Sequence, residues 1–148
     1  HEMHDLGYNY RLPDINCALG VTQLEKADEG LERRFEIAHR YDLELADLDQ
    51  VKIQKQLDNT QNAYHLYVIE VPNRKAFYEF LREKQIFAQV HYIPTHLHPF
   101  YRQKGWTLGD LPMSEHYYEH CISIPMYPGL SDDDQTYVID CIHQFFNG

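Results

Sequence analysis

The sequence is poor in cysteine, the residue that cross-links small domains. Its 148 residues include three cysteines, and no pair has CxxC spacing. A chain of this length can bury roughly 68–70% of the surface that its unfolded form exposes, so it needs no disulfide for a stable core. Each cysteine lies in a segment with helical patterning. We expect Cys17, Cys121 and Cys141 to be small buried side chains of a protein in the reducing cytoplasm.

Positive charge is also scarce. There are 13 lysines and arginines against 23 aspartates and glutamates, a formal net charge of −10, and no basic stripe offsets it. Nucleic acid and anionic membranes are therefore poor partners. The longest nearly uncharged apolar run, residues 63–69, is far shorter than the roughly 20 residues of a membrane-spanning helix. The opening HEMHD lacks a signal-peptide layout and predicts that the sequence is cut from a longer protein.

The residues that are present favour a folded domain. Apolar residues make up 43% of the chain and charged residues 24%, which is typical of a globular protein. No internal repeat, low-complexity segment or flexible linker divides it. We therefore predict one domain over residues 1–148, with helices in residues 1–49 and an α+β body in residues 50–148.

Helical patterning predicts five helices. Pro13 and Asp14 begin the first, and Gly30 separates it from a second helix that ends near Asp49. Asn73 is expected to cap the third. The fourth spans Asp110 to Cys121, and the fifth follows Ser131, which begins a capping box. The aligned apolar positions on these last two helices are Met113, Tyr117 and Cys121, then Val138, Cys141, Ile142 and Phe145.

Three segments favour extended structure. Residues 63–71 are rich in β-branched and aromatic side chains, and residues 86–93 and 123–127 are the other two. Residues 94–109 contain prolines, glycines, histidines and aromatics, and predict a loop of the kind that lines sites. Helices that alternate with strands predict an α+β fold.

Histidines are the first candidates for chemistry. His91, His96 and His98 could converge on a metal, but no acid or thiol in the same run completes a site, so we predict hydrogen-bonding histidines and no metal. His116 and His120 share a helix face at four-residue spacing. The flanking glutamates do not give the HExxH order, which favours a solvated face.

Other catalytic patterns are missing. The sequence has no GxSxG elbow and no glycine-rich phosphate loop. Residues 7–11, GYNYR, carry an amide, two phenols and a guanidinium that can reach a phosphate or sugar on another surface. A turn that merely packs explains the same spacing more simply.

Three ordered segments carry a family resemblance. Residues 7–24 read GYNYRLPDINCALGVTQL, residues 90–101 read VHYIPTHLHPFY, and residues 123–131 read SIPMYPGLS. Together they closely resemble the DegT/DnrJ/EryC1/StrS family of sugar aminotransferases. The HYIPTH and HPFYR wording is most similar to the branch that makes 4-amino-4,6-dideoxy sugars on UDP-N-acetylhexosamine, as in pseudaminic acid or spore-coat polysaccharide synthesis.

The resemblance implies a fold and a cofactor. The chain maps to the small C-terminal domain of a type I aminotransferase fold, a short antiparallel sheet flanked by helices and preceded by a long helical lead-in. The family binds pyridoxal phosphate (PLP) through a lysine upstream of GYNYR, so the cofactor-lysine domain is absent from this chain. The lysines that do not take its place are Lys26, Lys52, Lys55, Lys75, Lys84 and Lys104. The chain alone is therefore not expected to transaminate.

The resemblance also implies site residues. Asn9 is similar to the amide that reaches the cofactor phosphate of the neighbouring subunit in the family's homodimer, with Tyr10 and Arg11 beside it. His91 and Tyr92 match the loop on the substrate side, where imidazole and phenol can hydrogen-bond a nucleotide sugar, and His96 is a weaker candidate.

The expected function is that of the parent enzyme, which aminates a keto group of a UDP-linked deoxy sugar with glutamate, for cell-surface or spore-coat polysaccharide. A stand-alone module that binds nucleotide sugars or a partner subunit is the alternative, and a metal-binding protein rests only on the ten histidines. A part of a larger enzyme is expected to expose a broad apolar patch, whereas a self-sufficient module is expected to be polar all round.

Overall fold

The computed structural model describes residues 10–148, and the candidate Asn9 lies outside these described residues. Two helices lead into a body of three strands and four further helices, with a 3-10 turn at Thr95–Leu97. The helices are α1 (Asp14–Glu25), α2 (Ala27–Glu44), α3 (Arg74–Glu83), α4 (Pro99–Arg102), α5 (Pro112–His120) and α6 (Asp132–Asn147), and the strands are β1 (Lys52–Ile53), β2 (Tyr67–Glu70) and β3 (Cys121–Ile124). None of these helices is long and apolar enough to cross a membrane.

The three strands form one antiparallel sheet in the order β1-β2-β3. Ile69 of β2 lies opposite Ile122 of β3, and side chains alternate between the two faces of a strand. The face with Ile69 and Ile122 also carries Tyr67, whose ring is 4.9 Å from the ring of Tyr41 on α2. Ser123 belongs to the opposite face. The predicted short antiparallel sheet flanked by helices is confirmed.

The core lies between this sheet and helices α2, α3 and α6. Phe77 of α3 is fully buried and its ring lies 5.0 and 5.2 Å from the rings of Phe145 and Phe146 on α6. The buried stripe predicted for α6 is confirmed, with Phe145 half-buried at its end. Ser131 caps α6 as predicted, because its Oγ accepts a hydrogen bond from the backbone N–H of Asp134 at 3.1 Å.

Helix α1 has no buried residue. Its apolar side chains do not form one stripe, because Val21 lies on roughly the opposite side of the helix from Ile15 and Leu19. We call the exposed apolar side chains on α1 and just before it the α1 apolar set: Leu12, Ile15, Leu19, Val21 and Leu24. Large apolar side chains that cluster on an exposed helix often mark a contact with other structure. Exposed apolar side chains are therefore concentrated on and just before this helix.

The prediction of a strand over residues 86–93 is wrong. Gln89 forms a single bridge to Ser123, and no other residue of the segment pairs with the sheet. The backbone N–H of Ile86 bonds instead to the carbonyl of Leu81 at 2.8 Å, which closes the end of α3. Pro94 has no N–H to give to a ladder. The N–H at the start of the segment is therefore used by α3, and the proline that follows the segment cannot extend a strand.

Several boundaries also differ from prediction. The break between the first two helices is at Lys26, and Gly30 lies inside α2, which ends at Glu44 rather than near Asp49. Strand β2 is shorter than residues 63–71. Residues 94–109 are not all loop, because they include the 3-10 turn and α4. Asn73 precedes α3 with a positive φ of 52°, and its side chain makes no cap hydrogen bond.

The prediction for the cysteines is right for two of three. Cys121 and Cys141 are buried, whereas Cys17 is exposed on α1. Cys121 begins β3 and does not continue α5. The buried residue of α5 is Glu115, while Met113 and Tyr117 are exposed. The prediction of a buried apolar stripe on α5 is therefore wrong.

Candidate functional site

His91 is held against the polar face of β3. The bridge between Gln89 and Ser123 attaches its segment to the strand, with N···O distances of 2.7 and 3.0 Å. The imidazole Nδ1 of half-buried His91 lies 3.0 Å from Oγ of Ser123. No residue between 10 and 148 hydrogen-bonds the other ring nitrogen, Nε2. The imidazole is therefore fixed on one side and open on the other.

Tyr92 extends this candidate site outward. Its side chain is 75% exposed, and its ring lies 4.7 Å from the ring of His91 in an edge-on arrangement. An exposed phenol beside a half-buried imidazole offers two hydrogen-bonding groups to a polar ligand. The structure thus brings together the two residues predicted to face the substrate.

His96 points into the protein instead. It is 5% exposed, and its Nε2 lies 2.7 Å from Oε1 of Glu115. The same carboxylate accepts hydrogen bonds from the backbone N–H groups of Gly109 at 2.9 Å and of Leu111 at 3.3 Å. The hydrogen bond from His96, followed by these backbone donors, holds the pKa of Glu115 below its ordinary value. Glu115 therefore ties both ends of residues 96–111 together.

Replacing Glu115 with glutamine is expected to lower the melting temperature by several degrees at neutral pH, because the amide carries no charge and offers one acceptor oxygen instead of two. The lowered pKa means that the wild-type contribution is complete above the ordinary value of 4.5 and is lost as the pH falls below it. Thermal unfolding over a series of pH values measures this, and the two curves should converge in acid. Glu119→Gln, an exposed position of the same helix, is the control and should match wild type throughout.

The prediction that His116 and His120 lie on a solvent-exposed face of α5 is right only in part. His116 is exposed and His120 is half-buried, with its Nδ1 2.7 Å from the carbonyl oxygen of His116. The solvated-face prediction is wrong for Glu115, which is buried on the same helix. Within residues 10–148 no group of three or more histidine, cysteine, aspartate or glutamate side chains is placed to hold a metal ion.

The candidate phosphate ligands lie at the start of α1. Tyr10 and Arg11 are both exposed and lie a few residues before Asp14, where α1 begins. Arg11 hydrogen-bonds none of the residues from 10 to 148, so it joins neither His91 nor Glu115. A guanidinium and a phenol are donors of the kind that bind a phosphate. They are accessible to a ligand on another surface.

Sequence patterns did not single out Ser123 or Glu115 as functional. Ser123 lies inside the segment SIPMYPGLS, yet its contact with a histidine 32 positions away carries no local signal. Glu115 stands next to the histidine pair of α5, where the helical pattern suggested a solvent-exposed acid. Both contacts depend on tertiary structure.

Known proteins with similar sequences belong to the family that the motifs resemble. The sequence model of the DegT/DnrJ/EryC1/StrS aminotransferase family matches residues 1–143. The spore coat polysaccharide biosynthesis protein SpsC of Bacillus subtilis is 34% identical, over 100% of this chain and 40% of its own length. A UDP-4-amino-4,6-dideoxy-N-acetyl-beta-L-altrosamine transaminase of Campylobacter jejuni is 35% identical, over 95% of this chain and 39% of its own length. The chain thus spans about two fifths of the length of these relatives.

A solved structure shows the same fold. DesV of S. venezuelae, in complex with a ketimine intermediate, superposes with a TM-score of 0.93 at 26% identity, over 98% of this chain and 39% of its own. Aminotransferases of this family depend on pyridoxal phosphate. The resemblance and the α+β fold class that the sequence predicted are confirmed. On the match over residues 1–143 and on its fold, the chain belongs to the DegT/DnrJ/EryC1/StrS aminotransferase family.

Proposed function

We propose that this chain is the C-terminal domain of a PLP-dependent aminotransferase, which replaces a keto group of a UDP-linked deoxy sugar with an amine taken from glutamate. The observation that carries the proposal is the pair of His91 and Tyr92, open to a ligand at the edge of a fold that belongs to a sugar aminotransferase family. The names of the two relatives support a UDP-linked amino sugar and a role in cell-surface or spore-coat polysaccharide.

His91 and Tyr92 are proposed to bind and orient the sugar nucleotide. The fixed imidazole presents Nε2, and the exposed phenol adds a second donor and acceptor beside it. His96 lies inside the protein, so any effect on substrate passes through the shape of residues 96–111 and not through direct contact. Buried Pro94 lies just before this segment and fixes the backbone φ at its own position.

Tyr10 and Arg11, together with Asn9, are proposed to hold the phosphate of the cofactor bound by a neighbouring subunit. The donor set fits, because phosphate is recognised by guanidinium, hydroxyl and amide donors, and Tyr10 and Arg11 are exposed. When bound, the cofactor supplies an electron sink at the substrate carbon. The lysine that attaches it is proposed to lie outside this chain.

The roles of the lysines support that last proposal. Lys52 pairs with Glu70 at 2.7 Å and Lys75 with Glu79 at 3.8 Å. An amine that attaches a cofactor needs a site closed to water, and ion-paired surface lysines do not provide one. We therefore propose that the attaching lysine belongs to another part of a longer protein.

The α1 apolar set favours a longer enzyme over a stand-alone binding module, which would be polar all round. We propose that α1 packs against the remainder of the subunit and against its partner in a homodimer. The free thiols of Cys17, Cys121 and Cys141 support a cytoplasmic enzyme.

The proposal is tested by the visible absorption of the longer protein that contains this chain. Mixed with pyridoxal phosphate it is expected to show a cofactor band, and glutamate should then bleach that band. The chain of residues 1–148 alone, treated in the same way, should show neither change. Absence of a band in the longer protein would leave the stand-alone binding module as the better account.

A further inference from the structure

His91 makes two contacts with β3, both on the face of the strand opposite to Ile122. Cys121 and Ser123 project from this face two residues apart. The Sγ–H of Cys121 donates to the carbonyl oxygen of His91 at 3.6 Å, and burial raises the pKa of this thiol, which keeps it protonated. Ser123 contacts the imidazole. One strand therefore fixes both the backbone and the ring of the same histidine.

Ser123 is itself rigidly placed. It is 5% exposed and lies opposite Val68 of β2 on one side. On the other side its backbone N–H and carbonyl both bond to Gln89. A residue paired on both edges has little freedom, so its hydroxyl is a fixed reference point for the ring of His91.

The hydroxyl proton of Ser123 decides the tautomer of that ring. Within the described part of the chain, Nδ1 of His91 is the one hydrogen-bond partner of the Ser123 Oγ. If Nδ1 carried the proton and donated, the buried hydroxyl would have no acceptor for its own hydrogen, which costs free energy. If the hydroxyl donates, both groups are satisfied. The neutral imidazole then carries its hydrogen on Nε2.

We propose that Ser123 is a positioning residue that donates to Nδ1 of His91 and thereby presents the Nε2–H as a donor to an acceptor oxygen of the nucleotide sugar. This inference rests on the proposed function for its ligand, but the contact between Ser123 and His91 does not. A ring held in one tautomer binds an acceptor without first reorganising. Ser123 acts through His91 and does not touch the substrate.

The tautomer is measured directly in this 148-residue chain by two-bond nitrogen–hydrogen correlation spectra of the histidine rings. His91 is expected to show the Nε2–H pattern at neutral pH. Ser123→Ala should give a mixture of the two tautomers, and Ser123→Thr, which keeps the hydroxyl, should restore the single pattern. Ser114→Ala changes an exposed serine of α5 and should leave His91 unchanged. A Nδ1–H pattern in the wild type, or an unchanged pattern in Ser123→Ala, overturns the proposal.

Kinetics of the longer enzyme test the consequence for substrate. Ser123→Ala is expected to raise KM for the nucleotide sugar about tenfold while kcat stays within about a factor of two, the pattern of lost ground-state binding. In a His91→Ala background the serine change should add nothing, because the two residues act as one unit. Additive losses, or a fall in kcat alone, overturn the positioning role. An inactive wild-type enzyme would overturn the proposed function, while the spectra would still decide the contact.

Discussion

Replacing Phe77 with alanine is expected to lower the free energy of unfolding of this chain by about 3–5 kcal/mol. Phe77 is 0% exposed and its ring meets those of Phe145 and Phe146 at 5.0 and 5.2 Å, so its loss opens a cavity between α3 and α6. Domains are stable by only about 5–15 kcal/mol, so the change removes a large share. Urea denaturation followed by circular dichroism measures it.

Phe87→Ala is the matched control for this core substitution. Phe87 is 60% exposed, and its main described contact is the guanidinium of Arg82, 4.8 Å from the ring centre. Its removal is expected to cost less than about 1 kcal/mol. Equal losses in the two variants would show that the α3–α6 contact does not hold the fold together.

Charging the lead-in helix is expected to separate assembly from folding. The double variant Ile15→Glu and Leu19→Glu places two carboxylates on exposed positions of α1, so the unfolding free energy of this chain should stay within about 0.5 kcal/mol of wild type. In the longer enzyme the same side chains are proposed to be buried, where unpaired charges cost several kcal/mol. The dimer dissociation constant should then rise more than about a hundredfold.

Sedimentation of the longer enzyme over a range of concentrations measures that dissociation constant. Leu57→Glu, at another exposed leucine outside α1, serves as the control and is expected to leave the dimer intact. Dimerisation of the double variant at wild-type concentrations would refute the proposed contact of α1 with a partner subunit.

Local signals explain which elements could be predicted. Helix α6 has a capping serine, an acidic first turn and a regular apolar stripe, all within its own residues, and its prediction was confirmed. Strand β2 was found in the C-terminal half of the predicted segment 63–71. Residues 86–93 have strand-like composition, but a strand also needs a partner. Here only Gln89 reaches one.

The candidate site also contains residues that sequence motifs predict and contacts that they do not. His91 and Tyr92 could be predicted because they match a sequence motif of the family. In the structure their two rings lie next to each other. His96 belongs to the same motif, but no local feature indicated that its ring turns inward to Glu115. Side-chain direction within an irregular segment follows from what packs beside it.

By itself, the sequence determined the family, the α+β class, the net negative charge, and the helices whose caps and stripes are local. Only the tertiary structure decided that Ser123 meets His91 across 32 positions and that Glu115 meets His96 across 19. Hydrophobic periodicity and capping act between residues one or two turns apart, so they are written in the order of the chain. A hydrogen bond between distant side chains depends on how strands and helices are brought together, and no spacing in the sequence records that.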